Sequence, residues 1–275
     1  MLARPGWARA LGAALLGLLA GGALAVERPE ESTAEADTIA SVMHGFRHSD
    51  CKLAVSHLNR GLKARYPGIY VLAGSMYEEG LCLKANWEQA ERMYLRAREV
   101  GHGAGLLRLV AGLARGQRDI GAALWWAQQA KISLPADCRL GPAARADPEA
   151  FVRALQAWPA GRPQACAYVA GVMAFLVGDA EYPRSSLAMG FSGRVELQYT
   201  PADERMDWKT LEITEHALYG VSSGDTVADR DSRKFRLQFE AALRDLGAQA
   251  LKRFQRPPAV DPAWALRMVF VFDLR

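Results

Sequence analysis

Two different spacings of hydrophobic residues divide this chain. In its first half, small and apolar residues recur at offsets of three and seven, which places them on one helical face. Ala90, Met93 and Ala97 set the pattern; Ala123, Trp126 and Ala130 repeat it, and Ala54, His57 and Gly61 stand at the same offsets. The three starts lie 36 and 33 residues apart. Between these helices runs a second kind, with Gly74, Tyr77 and Gly80 three apart and Val110, Leu113 and Gly116 at the matching places 36 residues on. A glycine closes each of them, as helix C-termini favour. Each unit is therefore predicted as a helix, a short loop and a second helix, with Tyr77, Trp125 and Trp126 in the core.

Beyond "GDAEYP" the period changes to two. Val195, Leu197 and Tyr199 alternate with Arg194, Glu196 and Gln198, which predicts a strand over about 193–200. "WKTLEITEH" predicts a second over about 208–216, its Thr, Ile and Leu favouring strand. An amphipathic helix follows over 232–251, with Phe235, Phe239, Leu243 and Leu246 on one face. In the last strand, about 265–274, Leu266, Met268, Phe270, Phe272 and Leu274 face one way, and Arg267, Val269, Val271 and Asp273 the other. The fold class expected is α+β overall. An all-α solenoid of helical hairpins precedes a small α+β domain with a three-stranded antiparallel sheet.

The N-terminus changes the reading of compartment. Residues 1–25 have a basic start (Arg4, Arg9), an apolar run from Leu11, and small residues at Ala23 and Ala25. That is the layout of a secretory leader cleaved after Ala25, and the apolar run is shorter than the roughly 20 residues a membrane span needs. Cleavage would leave 250 residues with a charge near +2, too balanced to argue for nucleic acid. No later stretch reads as apolar enough to cross a membrane. The mature protein is expected in the periplasm, with residues 26–36, "VERPEESTAEA", as a mobile lead-in.

Four cysteines remain: Cys51, Cys82, Cys138 and Cys166. An even number in an exported chain suggests disulfides, and four residues allow three pairings. His44, His48 and Cys51 could instead offer metal ligands at helical spacing. A disulfide would consume Cys51 and no fourth ligand is evident, so neither metal nor cofactor is expected. "GVSSG", residues 220–224, has the form of a nucleophile elbow. That fold requires a histidine after the serine, and the last histidine here, His216, precedes Ser222. No phosphate loop, dinucleotide fingerprint or zinc-protease motif occurs, and "DRDSRKFR" reads as a solvated loop and helix start.

The helical units resemble the Sel-like repeat family, relatives of the tetratricopeptide repeat. The shared pattern is a small-x-x-aromatic-x-x-Gly helix followed by Ala-x-x-aromatic-x-x-x-Ala. The unit at about 67–101 matches best. The one at about 102–134 carries Val110 where glycine is usual, and the first, about 37–65, is degenerate. The resemblance implies a solenoid that binds other proteins and carries no chemistry. In that register Cys51 opens the second helix of unit one and Cys82 follows the first helix of unit two, so a Cys51–Cys82 bridge would staple the units. Cys138 and Cys166 would then tie down a helical extension over 135–180.

Residues 181–275 resemble the TonB C-terminal domain family. Tyr182, Pro183, Gly190, Gly193 and Val195 match its opening. Ser222, Ser223 and Gly224 follow the second strand, Ala241, Ala242 and Leu243 lie in the helix, and Phe254 with Phe272-x-Leu274 matches its end. The chain departs from the family where "TPADERMD" replaces a tight turn between the first two strands. TonB's uncleaved anchor and Pro-rich spacer are also replaced by helical repeats. An open sheet edge carries unpaired backbone groups that an extended peptide can satisfy. The resemblance implies that a transporter segment does so beside the last strand, with Arg267, Val269, Val271 and Asp273 meeting its side chains. The edge could also be covered by the chain's own loops or pair in a dimer. The expected function is a non-catalytic periplasmic scaffold with a peptide-docking domain; the alternatives are an accessory of outer-membrane transport and a cell-envelope hydrolase. The composition shift near residue 181 further predicts that 181–275 folds alone.

Overall fold

A computed structural model describes residues 24–25, 33–216 and 228–274, with side chains for 33–216 and 237–274. Ser222, Ser223, Gly224 and the Phe235 side chain lie outside the described residues. Six helices pair in sequence: α1 (Thr33–Arg47) with α2 (Cys51–Ala64), α3 (Pro67–Glu79) with α4 (Trp87–Glu99), and α5 (Gly103–Ala114) with α6 (Ile120–Gln129). Their starts are set by side-chain caps. Asp50, Asn86 and Asp119 each accept an N–H three residues on, the first at 2.9 Å. Two C-termini turn in the left-handed region, at Arg65 and at Gly80.

The buried face differs by one position from the sequence reading. Ala54, Leu58 and Gly61 are buried, as are Ala90, Tyr94 and Ala97. The middle member therefore stands at offset four, while His57, Met93 and Trp126 flank the core. Tyr94 explains the small residues opposite it. A Cβ on Gly74 would lie 2.4 Å from the Tyr94 ring, so only glycine admits that ring into the α3–α4 contact.

Helix α1 begins at Thr33, so the expected mobile lead-in is partly helical. Its Glu35 is 5% exposed and accepts the N–H of Gly68 at the start of α3, a carboxylate placed at a helix N-terminus. Both disulfides form as expected, Cys51–Cys82 and Cys138–Cys166, with Cα–Cα distances of 5.0 and 5.4 Å. Cys51 is thereby unavailable to His44 and His48.

Two short helices, α7 (Pro142–Ala146) and α8 (Pro148–Gln156), lead to α9 (Arg162–Asp179). The stretch 162–188 does meet the length and composition of a membrane span, which corrects the sequence reading. Two-thirds of its apolar 18-residue window is buried within the protein, and every residue from Ala165 to Leu176 is buried. The helix is apolar all round because it packs on every side, with α5 and α6 on one flank and a later helix on another.

A one-turn helix, α10 (Arg184–Ala188), precedes the sheet. Leu24–Ala25 is counted as β1, followed by β2 (Phe191–Thr200), β3 (Arg205–Glu215), helix α11 (Ala228–Arg253) and β4 (Leu266–Phe272). The antiparallel order is β4-β2-β3, and β1 joins the outer side of β4 in parallel. The expected loop "TPADERMD" is half strand: a single 3-10 turn at Pro201–Asp203 and a left-handed Glu204 reverse the chain, and β3 begins at Arg205.

The apolar core crosses the change in secondary structure near residue 181. One cluster runs from Ala90 through α9 to Phe272, while a small separate one holds Val42, Ala54, Leu58, Ile69, Ala73 and Met76. Phe254 sits 6.1 Å from Phe175, ring to ring, and the Tyr199 hydroxyl donates to that of Tyr168 at 2.9 Å. Polar groups close the same seam. Arg253 Nη2 lies 2.6 Å from Oε1 of both Glu78 and Glu79; within the helical part, Arg108 pairs with Asp179.

Candidate partner-binding edge

Strand β4 alternates as its sequence predicts. Leu266, Met268, Phe270 and Phe272 are buried, and Phe272 meets Phe239 of α11 at 4.9 Å between ring centroids. Phe270 lies 5.7 Å from the Trp208 ring of β3. Arg267 is exposed, and Val269 and Val271 are half-buried. Register on β2 places Val271 opposite Arg194, Val269 opposite Glu196 and Arg267 opposite Gln198. One strand further on stand Glu212, Lys209 and Asp207. The outer face thus carries two valines at the β4 side and charges of both signs towards β3.

Asp273 belongs to a different environment from the other three candidates. It lies past the end of β4, where its charge acts on Tyr182. Burial first, and then that charge, push the Tyr182 phenol up to about 12. The Tyr182 hydroxyl donates to the Phe191 carbonyl, and its ring packs edge-on against Phe239 and Phe272. Arg267, Val269 and Val271 therefore share the sheet face, while exposed Asp273 lies past the strand's end.

The two long margins of the sheet are built differently. Strand β3 is irregular: Arg194 pairs with Glu212 and Val195 with Thr210, which leaves Leu211 as an extra residue. Inward residues change parity there, from Trp208 and Thr210 to Ile213, and Leu211 is pushed out to 46% exposure. At that bulge the Thr210 N–H and hydroxyl both donate to Glu240 Oε1, at 3.0 and 2.9 Å. Arg244 holds the other oxygen of Glu240 at 2.9 Å. Gly247 brings α11 close, since a Cβ there would meet Met206 Sδ at 2.9 Å. Exposed Asp207, Lys209, Glu212 and Glu215 complete a charged margin.

Strand β4 has none of these devices among the described residues. It pairs with β2 in unbroken register from Leu266 to Phe272, and its other side takes Leu24 opposite Phe270 and Ala25 opposite Val271. Sequence reasoning identified this edge. It missed both the bulge, which depends on cross-strand pairing, and the segment that pairs here, which lies in the expected leader.

Three other places in the structure carry polar groups or open space. Ser192 Oγ lies 2.7 Å from His216 Nε2 at the surface, a pair the sequence did not suggest. The ring has no carboxylate partner among the described residues, so no orienting member of a catalytic triad is seen among them. A cavity of about 170 Å³ lies between the repeats and the sheet domain, lined by Ala114, Gln117, Gln164, Tyr168, Phe254 and Pro257. It falls below the roughly 300 Å³ at which small-molecule sites begin. The rings of His44 on α1 and His48 just past its end lie 4.3 Å apart and tilted, but no group of three metal-ligating side chains occurs among the described residues. No family model, curated protein or solved structure matches the chain.

Proposed function

We propose that this is a non-catalytic interaction protein of the periplasm, a helical-repeat scaffold carrying a TonB-like domain that docks an extended peptide along β4. The observation that carries the reading is the contrast between the two sheet margins. Strand β3 is bulged, charged and tied to α11 through Glu240, all of which discourage strand addition. Strand β4 is regular, and its outer side accepts an extended segment at Phe270 and Val271. Backbone hydrogen bonds would supply affinity there, and Arg267, Val269 and Val271 would supply selectivity. Two disulfides are compatible with an oxidising compartment. A segment of an outer-membrane transporter is the partner the sequence resemblance implies.

The test is to titrate isotope-labelled protein of residues 26–275 with peptides from outer-membrane transporter termini, following backbone amide shifts. Saturable shifts within 266–274 support the reading. Shifts elsewhere, or none at millimolar peptide, overturn it.

A further inference from the structure

Helix α2 turns a basic stripe outward. Ala54, Leu58 and Gly61 are buried, and the opposite face holds Lys52, Ser56, Asn59, Arg60 and Lys63, all exposed. Those five fall within about 100° of arc, with Lys52 and Lys63 about 16 Å apart along the axis. Exposed Arg65 caps the helix at one end, and exposed Arg47 lies at the end of α1 beside the other. None of these five lysines and arginines is in an ion pair among the described residues. Of the three acids in residues 33–65, Glu35 is buried on the Gly68 N–H, and Asp50 and Asp37 stand at the borders of the stripe. Helices α1 and α2 pack chiefly on each other and on α3, so this face belongs to the end of the repeats.

The stripe offers positive charge and N–H and O–H donors, which suits a layer of anionic oxygens. It holds no aromatic or large apolar side chain. A protein partner needs a desolvated core with such anchors, and single-stranded nucleic acid needs aromatic platforms. Phosphodiester headgroups of a lipid leaflet need only charge close to their plane. We infer that the outward face of α2 docks the protein on an anionic lipid surface, with Lys52, Arg60 and Lys63 as the principal contacts. Headgroup phosphates accept from these three side chains, and Ser56 and Asn59 add donors between them. Each cation brought to an anionic leaflet strengthens binding about fivefold, so the three contribute on the order of a hundredfold. The contact is reversible and salt-sensitive, because exposed charges are screened. It is independent of β4 and of any peptide docked there.

The experiment measures co-sedimentation of disulfide-intact protein of residues 26–275 with vesicles of phosphatidylcholine, alone or with about one-third phosphatidylglycerol. Binding to the anionic vesicles only is expected, with loss as salt rises from about 0.05 to about 0.5 M. Lys52→Gln, Arg60→Gln and Lys63→Gln together should weaken it about a hundredfold. Ser56→Glu, which sets an acid in mid-stripe and removes no cation, should weaken it about fivefold. A control removes three exposed cations elsewhere, Lys131→Gln, Arg139→Gln and Arg145→Gln, and should leave binding within about twofold. No binding to anionic vesicles, equal binding to neutral ones, or an equal loss in the control would each overturn the inference. Soluble polyglutamate is run beside the vesicles. Its capture through the same three residues, without vesicle binding, would replace the lipid surface by an acidic polypeptide.

Discussion

The two margins of this sheet share one core and one helix, yet only one is finished. Along β3 a bulge at Leu211, a row of charges and the Thr210–Glu240 bonds leave an irregular margin covered by α11. Along β4 the backbone is regular, two valines face outward, and two residues of the chain's own N-terminus already pair there. Proteins blunt the edges they do not use. The difference teaches that the regular backbone of β4 is informative because β3 beside the same core is bulged and charged. Helix α11 packs on β3 and β2 and joins the sheet domain to α9.

Removing what both margins share should have the largest effect. Phe270→Ala deletes a ring that is 2% exposed and packs on Trp208. A loss of about 3–5 kcal/mol is expected in denaturant unfolding of the disulfide-intact protein. Peptide capture on β4 and amide protection on β3 should fall together. Retained protection on β3 would mean that the strands do not stand or fall as one sheet.

Arg253→Ala tests the seam that holds the sheet to the repeats. Arg253 meets Glu78, whose side chain is 2% exposed, and its removal leaves that carboxylate with Arg115 at 3.6 Å, Arg118 at 4.0 Å and the Tyr94 hydroxyl at 2.8 Å. A loss of about 3 kcal/mol is expected. The pH dependence has a definite sign. Burial pushes the Glu79 carboxyl up, but Arg253 and Arg115 outweigh it and hold it below its ordinary value. Its contribution is therefore present above the ordinary Glu range and is lost as pH falls through the depressed value. Unfolding measured across the acid range should show this slope in the wild type and a smaller one in Arg253→Ala.

Glu240→Ala should cost about 1–3 kcal/mol, since Thr210 is 8% exposed and would lose the acceptor of two donors. It should also blur the contrast, with docking peptides now shifting β3 amides as well as those of β4. Val271→Asp is the gentlest change, placing a carboxylate opposite Arg194 on the outer face. Stability should move by less than about 1 kcal/mol, while peptide capture falls about tenfold. Unchanged capture would remove Val271 from the docking surface.

Much of this was legible in the chain. Alternation placed β4 and its two faces, and helical spacing placed the pairs α1–α2, α3–α4 and α5–α6. The repeat register gave both cysteine pairings. Features that depend on distant partners were not legible. The offset of four appears only when Tyr94 is seen entering the space above Gly74. The bulge at Leu211 exists only relative to β2, and Arg253 and Glu78 lie 175 residues apart. Helix α9 carries a membrane-like composition because both halves of the chain bury it. For the same reason the break near 181, although sharp in sequence, is crossed by Tyr199 and Phe254. The excised fragment 181–275 is expected to fold with a melting temperature well below that of the full chain; a fragment that is fully unfolded would show that the seam is obligatory.

The central claim is that β4, and not β3, is the docking edge. A photo-crosslinking side chain placed at Val269 or Val271, and separately at Leu211 or Ile213, tests it in processed protein with a transporter-terminus peptide. The account predicts crosslinks from the two β4 positions that an excess of unlabelled peptide suppresses, and background levels from the two β3 positions. Equal crosslinking from both strands, or crosslinking from Leu211 and Ile213 alone, would contradict it.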